Sequence, residues 1–193
     1  MHWPRPLILA SASPRRRELL AGAGIEALPC PPSMDDGRLQ CGDCPPQQWV
    51  AVLAIMKARD VIAQLRQRSG TVLAADTMCL VDDKALGQPT DGEDARGMLN
   101  LMRGRDHEVL TGWCLVAAEG TRARHGTEVV TVSIGAISDA EIDRYIDSNR
   151  WRGKAGGYNL AERVGSGWPI TCEGDATSVM GLPMDRLARE LAS

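Results

Sequence analysis

Residues 7–20 read Leu7-Ile8-Leu9-Ala10-Ser11-Ala12-Ser13-Pro14-Arg15-Arg16-Arg17-Glu18-Leu19-Leu20, an apolar strand that runs straight into a helix. Ser13 suits the N-cap and Pro14 the first helical position, so the three arginines fall in the first turn. The helix dipole is already positive there, and cations are locally unfavourable. A bound phosphate reverses the sign of that cost. Helix N-termini offer N–H groups to phosphates, and guanidinium forks grip them two bonds at a time. The alternative, on this segment alone, is a solvated basic face.

Working outward, Val72–Ala75 is a short apolar run that ends in Asp76, and Cys79–Val81 continues it up to an Asp82-Asp83 turn. This predicts a buried strand and hairpin with the Asp76 carboxylate at a strand end. Thr90 and Glu93 suit a capping box for a helix with Ala95, Met98, Leu99 and Met102 on one face, stopped by Gly104. Strands are expected over 107–116 and about 128–134. Ser138 and Glu141 cap a further helix with Ile142, Tyr145 and Ile146 on one side, and a last helix starts near Pro183. Loop chemistry marks Pro31–Pro46 and Trp151–Gly157. Alternating strands and helices imply an α/β fold with a mixed sheet flanked by helices, and 193 residues suit one folding unit.

The formal charge of −3, with no long Lys/Arg run beyond residues 15–17, argues against a protein that coats nucleic acid. Positive charge is local, so its target is small. No apolar run approaches the roughly 20 residues needed to span a bilayer, and no signal peptide is visible, so a cytoplasmic protein without a membrane partner is expected. Six scattered cysteines predict reduced thiols. Cys41 and Cys44 have the spacing of half a zinc site, but no second pair completes four ligands.

The helix expected over 47–66 aligns Val50, Leu53, Ala54, Ala58, Val61 and Leu65, and Lys57 falls within that stripe. An inward lysine either snorkels to an edge or faces an anionic ligand or a carboxylate. Asp76 either caps its own turn, binds a metal or activates water. Asp35 and Asp36, in a Pro-rich loop, would with Asp76 suit Mg²⁺, which takes one or two carboxylates plus substrate phosphates.

Residues 7–20, Met34-Asp35-Asp36, Leu53-Ala54 with Lys57-Ala58, Ala74–Thr77, Gly104–Gly112, Lys154–Tyr158 and Gly181–Pro183 together resemble the Maf family of nucleoside triphosphate pyrophosphatases, the septum formation inhibitor Maf-like proteins. The matches run in order from Leu7 to Pro183. The resemblance implies a single domain over 1–193, elongated and two-lobed with a central cleft, related to the inosine triphosphatases. It implies metal-dependent hydrolysis of a nucleoside triphosphate to the monophosphate and pyrophosphate, with Mg²⁺ or Mn²⁺ as cofactor. It also implies nucleotide-pool cleansing, a link to cell-division arrest and, as in many members, a homodimer. Ser11, Arg15, Arg16 and Lys57 would hold phosphates, Asp76 would accept the proton, and Asp36 and Asp76 would bind metal, Asp36 standing where the family usually has Glu. Arg15, Thr77, Gln88, Tyr158 and Glu162 would set substrate specificity.

Two departures stand out. The family's usual Gly-Lys-Pro is Gly87-Gln88-Pro89 here, which removes a phosphate-facing cation unless Lys84, Arg152 or Lys154 replaces it. Members acting on dTTP and UTP carry a Gln shortly after the KAGxY segment, whereas this chain reads Asn159-Leu160-Ala161-Glu162-Arg163. Glu162-Arg163 is similar to the branch acting on 7-methyl-GTP, where an acid could meet the guanine edge and Trp168 could stack on a cationic base; the alternative is that Glu162 is a helix or turn residue in a salt bridge. A nucleotide-binding regulator of cell division with little turnover is the competing reading.

Overall fold

The computed structural model describes residues 3–35, 39, 42–67 and 69–192. Strand β1 (Leu7–Ala10) is buried at all four positions, as its unbroken apolar run requires. Helix α1 (Pro14–Gly22) follows, with Ser13 at the N-cap and Pro14 at the first position. Strand β2 (Leu28–Pro29) lies parallel to β1, with Ile8 opposite Leu28. Helix α2 (Pro46–Gln64) then leads into β3 (Thr71–Val81), parallel to β1 from Leu7 opposite Thr71 to Ala10 opposite Ala74. Strand β4 (Lys84–Leu86) turns back antiparallel on β3. The hairpin loop is the Asp82-Asp83 pair, both at positive φ (46° and 64°), the two-residue geometry that matches strand twist.

Helix α3 (Gly92–Met102), β5 (Arg105–Ala117), β6 (Ala123–Ile134) and α4 (Asp139–Asp147) come next. A 3-10 turn at Ala155–Gly157, α5 (Leu160–Gly165), β7 (Ile170–Glu173), α6 (Ala176–Val179) and α7 (Met184–Ala192) complete the chain. The hydrogen-bonded strand order is β2-β1-β3-β5-β6-β7 with β4 on β3, parallel at β1 and antiparallel at β7. The expected mixed α/β fold is therefore what the chain adopts.

Two expectations are corrected. β3 does not stop at Asp76 but runs unbroken from Thr71 to Val81, because the polar side chain is satisfied by an ion pair and leaves the backbone extended. The cap of α3 is Asp91, whose carboxylate accepts from the Asp94 N–H, one position later than the expected Thr90. Asp94 in turn accepts from the Thr90 N–H, so Thr90 is held just outside the helix. The Ser138–Glu141 capping box forms as expected.

The chain divides into two compact units. The first comprises residues 1–76, 111–128 and 181–193, with apolar groups around Leu9, Leu73, Trp113 and Leu187 and around Ala54, Ala58 and Val72. The second comprises residues 77–110 and 129–180, cored by Leu99, Met102, Val132, Ile142, Trp151 and Trp168. No described helix is long and apolar enough to cross a membrane.

Candidate active site

Because β1 and β3 are parallel and in register at Ala10 and Ala74, Ser11 just past the carboxyl end of β1 and Asp76 in the middle of β3 both lie just beyond the paired stretch. Open α/β sheets bind ligands at that end. Ser11 is buried, its N–H bonded to the Leu9 carbonyl in a tight turn. Its Oγ accepts from the Ser13 N–H at 3.2 Å and from Arg16 Nη1 at 3.1 Å. Arg16 Nε donates to the Gly181 carbonyl at 2.8 Å, so the guanidinium is folded back over the start of α1. Arg15 is half-buried and Arg17 exposed, which separates the three arginines into different roles. The Ser13 side chain makes no capping bond, and the first turn of α1 holds no acidic residue. By contrast, Asp91, Ser138, Asn159 and Asp175 cap their helices with side-chain oxygens.

Helix α2 buries Val50, Leu53, Ala54, Lys57, Ala58 and Val61. Gly112 of β5 permits this approach, since a Cβ there would stand 2.2 Å from the Val50 carbonyl. Of the two fates open to an inward lysine, Lys57 takes the carboxylate: Nζ donates to Asp76 Oδ1 at 2.6 Å, with side chains 11% and 13% exposed. The second Asp76 oxygen has no hydrogen-bond partner among the described residues. Asp35 is exposed, and Asp36 lies outside the described residues. Among the described residues, no three of His, Cys, Asp and Glu converge as a ready-made metal site.

In the second unit, Thr77 follows Asp76 on β3 and is half-buried. Gln88 is exposed beside Gly87, whose carbonyl accepts from the Gly156 N–H at 2.9 Å. Gly156 needs its positive φ of 64° and its missing side chain, since a Cβ would meet Cys79 Sγ at 2.7 Å. Glu162 is bound by Lys154 at 2.7 Å and Arg150 at 3.2 Å. Partial burial would raise its pKa, but the Lys154 hydrogen bond and the charges of Lys154, Arg150 and Arg163 bring it below the usual carboxylate range. Trp168 is buried, with the Arg163 guanidinium 5.2 Å from its centroid and Tyr145 edge-on at 5.2 Å, so its ring serves the core.

Tyr158 is buried and joined to His107 Nε2 by a 2.8 Å hydrogen bond, as suits a structural histidine. Burial pushes the His107 pKa down to about 4, against the raising influence of Asp106. Burial, with Cys79 and Cys172 nearby, raises Tyr158 well above its usual value. Of the cations that could replace the missing lysine near Gln88, Lys154 is paired with Glu162, Arg152 lies over the Trp151 ring at 4.4 Å, and Lys84 is exposed on β4. The Lys154–Glu162 and His107–Tyr158 pairs had no signal in spacing, since each joins residues on different elements or across a turn.

A serine–arginine pair and an uncapped helix start after β1, and a lysine–aspartate pair joining α2 to the middle of the adjacent parallel strand β3, give an α/β fold whose donors are of the kind that suit phosphate. The chain belongs to the Maf family: the Maf-like protein family matches residues 6–193. A dTTP/UTP pyrophosphatase of Rhodopirellula baltica is 38% identical over 192 residues, covering 97% of this chain and 82% of that one. The dTTP/UTP pyrophosphatase of Caulobacter vibrioides is 41% identical over 181 residues, covering 92% and 90%, and that of Pyrococcus furiosus 36% over 180, covering 93% and 90%. A solved nucleoside-triphosphatase / dITP/XTP pyrophosphatase from Mycobacterium abscessus matches with a TM-score of 0.43 and 16% identity, over 66% of this chain and 73% of that one.

Proposed function

We propose that this chain hydrolyses a nucleoside triphosphate to the monophosphate and pyrophosphate. One observation carries the reading: Ser11–Arg16 and Lys57–Asp76 stand just beyond the paired stretch of two adjacent parallel strands. Ser11, Arg15, Arg16 and Lys57 hold the phosphates and offset charge that moves onto the leaving oxygens, the main demand of phosphoryl transfer. Asp76 accepts the proton of the attacking water through the oxygen that Lys57 leaves open, while Lys57 fixes the orientation of the carboxylate. Water attacks the α-phosphorus, the α–β bridge bond breaks, and pyrophosphate leaves.

Asp76 would offer a divalent cation one carboxylate beside Lys57, and such an ion needs few protein carboxylates when substrate phosphates supply the rest. Asp76 and Asp36 are the residues assigned to hold it. When bound, the ion supplies charge neutralisation at phosphate oxygens and lowers the pKa of the water. Arg15, Thr77, Gln88, Tyr158 and Glu162 are assigned to substrate specificity, and dTTP and UTP head the substrates because the curated relatives carry that name.

The test is incubation of the pure protein with Mg²⁺ or Mn²⁺ and dTTP, UTP, CTP, GTP or 7-methyl-GTP, with pyrophosphate separated from orthophosphate. Monophosphate and pyrophosphate from one base class are expected. Orthophosphate as the first product would move the cleaved bond, and nucleotide binding without release would make the chain a regulator.

A further inference from the structure

A glycine in the interior of a strand weakens it and characteristically marks the close approach of another backbone. Gly112 is such a residue, buried within β5, and the backbone that approaches is that of α2. A Cβ at Gly112 would stand 2.2 Å from both the carbon and the oxygen of the Val50 carbonyl and 2.5 Å from the Ala51 nitrogen. These are main-chain atoms, so no change of rotamer relieves the clash. One turn earlier, the Thr127 hydroxyl of β6 donates to the Gln47 carbonyl at 2.6 Å. Two turns later, Lys57 donates to Asp76 of β3. Since β6, β5 and β3 are successive neighbours in the sheet, α2 is held at three points across three adjacent strands, and the Lys57–Asp76 pair is the last of them.

We propose that Gly112 and Thr127 are positioning residues for the reaction: they seat the first turns of α2 on the sheet and so set where Lys57 meets Asp76. The proposal rests on the functional reading above and adds to it two residues outside the assigned site. Val50 and Lys57 are two turns apart, about 10 Å along one continuous helix. Relief of a 2.2 Å contact takes a shift of at least about 1 Å at Val50, which the helix passes on as a rigid body. A misplacement of that size, made far from the reacting atoms, is enough to cost about a hundredfold in rate.

The experiment compares the wild type with Gly112→Ala and Thr127→Val, and with Gly97→Ala as a control, since a Cβ at Gly97 of α3 meets nothing within 4 Å. Two readouts are taken at a temperature well below each variant's unfolding midpoint. The first is reductive methylation followed by peptide mass spectrometry, with exposed Lys84 as the internal reference for buried Lys57. Methylation of Lys57 relative to Lys84 is expected to quicken about tenfold in Gly112→Ala and about threefold in Thr127→Val, as the pair is loosened. The second is pyrophosphate release. There kcat is expected to fall about tenfold to a hundredfold in Gly112→Ala and about threefold in Thr127→Val. KM for the nucleotide is expected to change far less, because Ser11 and Arg16 stand outside α2. Gly97→Ala is expected to match the wild type in both.

A loss of stability alone, with Lys57 labelling and kcat unchanged in Gly112→Ala, makes the glycine a packing residue and overturns the proposal. Either change without the other overturns it as well, since the seat acts through the pair. If Gly112→Ala does not fold, Thr127→Val decides: changes in both readouts uphold the seat, and unchanged values sink it. A wild type that releases no pyrophosphate defeats the functional reading, while Lys57 labelling still decides whether the seat holds the pair.

Discussion

Lys57 Nζ and Asp76 Oδ1 are 2.6 Å apart, and the pair joins the buried face of α2 to the middle of β3 with both side chains about nine-tenths enclosed. An ion pair so placed is strongly destabilising to break from one side, because the remaining charge is left buried without compensation. Lys57→Met is therefore expected to cost about 3 kcal/mol of stability, read by urea denaturation. Asp76→Asn keeps an oxygen that accepts from Lys57 but removes the compensating charge, so it too is expected to lose stability, and its turnover is compared at a temperature well below its own unfolding midpoint. Asp76→Asn is expected to lower kcat by about a hundredfold or more while nucleotide binding persists, as loss of a general base does. Near-normal turnover in that variant would remove Asp76 from the proton-accepting role.

Arg16 makes two bonds that a lysine cannot reproduce together, one from Nη1 to Ser11 and one from Nε to the Gly181 carbonyl. The fork is directional, and an ammonium on a flexible stem is not a substitute. Arg16→Lys is expected to raise KM for the triphosphate about tenfold, within the range of one charge-assisted hydrogen bond. Arg17→Lys, on the exposed side of α1, is expected to change KM by less than about twofold. Steady-state pyrophosphate release with both variants checks the contrast. Equal effects would mean that net positive charge, and not the fork, holds the phosphate.

His107 gives the fold a pH dependence. Its folded pKa of about 4 lies below its unfolded value of 6.5, so the unfolded chain takes up the proton first as pH falls. Stability is full above pH 6.5 and is lost between 6.5 and about 4. The gap corresponds to about 3 kcal/mol at about 1.4 kcal/mol per pKa unit. Melting temperatures of the wild type should fall across that window, and His107→Gln, which has no titrating ring, should flatten this part of the profile. An unchanged slope in His107→Gln would assign the acid sensitivity to the carboxylates.

The extent to which the sequence disclosed this arrangement follows from the range of each interaction. The strand-to-helix passage at Leu7–Leu20, the Asp82-Asp83 turn and the Ser138–Glu141 box are local, and each formed where its residue types direct. Lys57 was visible as a lysine inside an apolar stripe, but its choice of Asp76 depends on the meeting of α2 with the sheet, for which Gly112 leaves room. The unbroken β3 was hidden because Asp76 and Thr77 interrupt the apolar run, although strand pairing tolerates a satisfied polar side chain. Helices α5 and α6 and strand β7 are only 4–6 residues long and have too little periodicity to be read. The Ser33–Asp60 hydrogen bonds and the Lys154–Glu162 pair exist only once loops fold onto helices.

Gln88 is exposed at the end of the hairpin where the family usually has lysine, and the neighbouring Gly87 carbonyl is fixed by the Gly156 N–H. A side chain at this position therefore projects from a defined backbone, and restoring a cation there carries little packing cost. A charge-assisted hydrogen bond is roughly twice as strong as a neutral one, and charge aimed at a developing oxyanion acts mainly on the transition state. Gln88→Lys is expected to raise kcat about threefold to tenfold with an unchanged melting temperature, and to steepen the decline of rate with added salt, because the new cation is exposed to screening. Initial rates of pyrophosphate release at two ionic strengths check both parts. An unchanged kcat would mean that another cation already serves the phosphates, and Lys84, exposed on β4 of the same hairpin, is then the residue to replace with methionine.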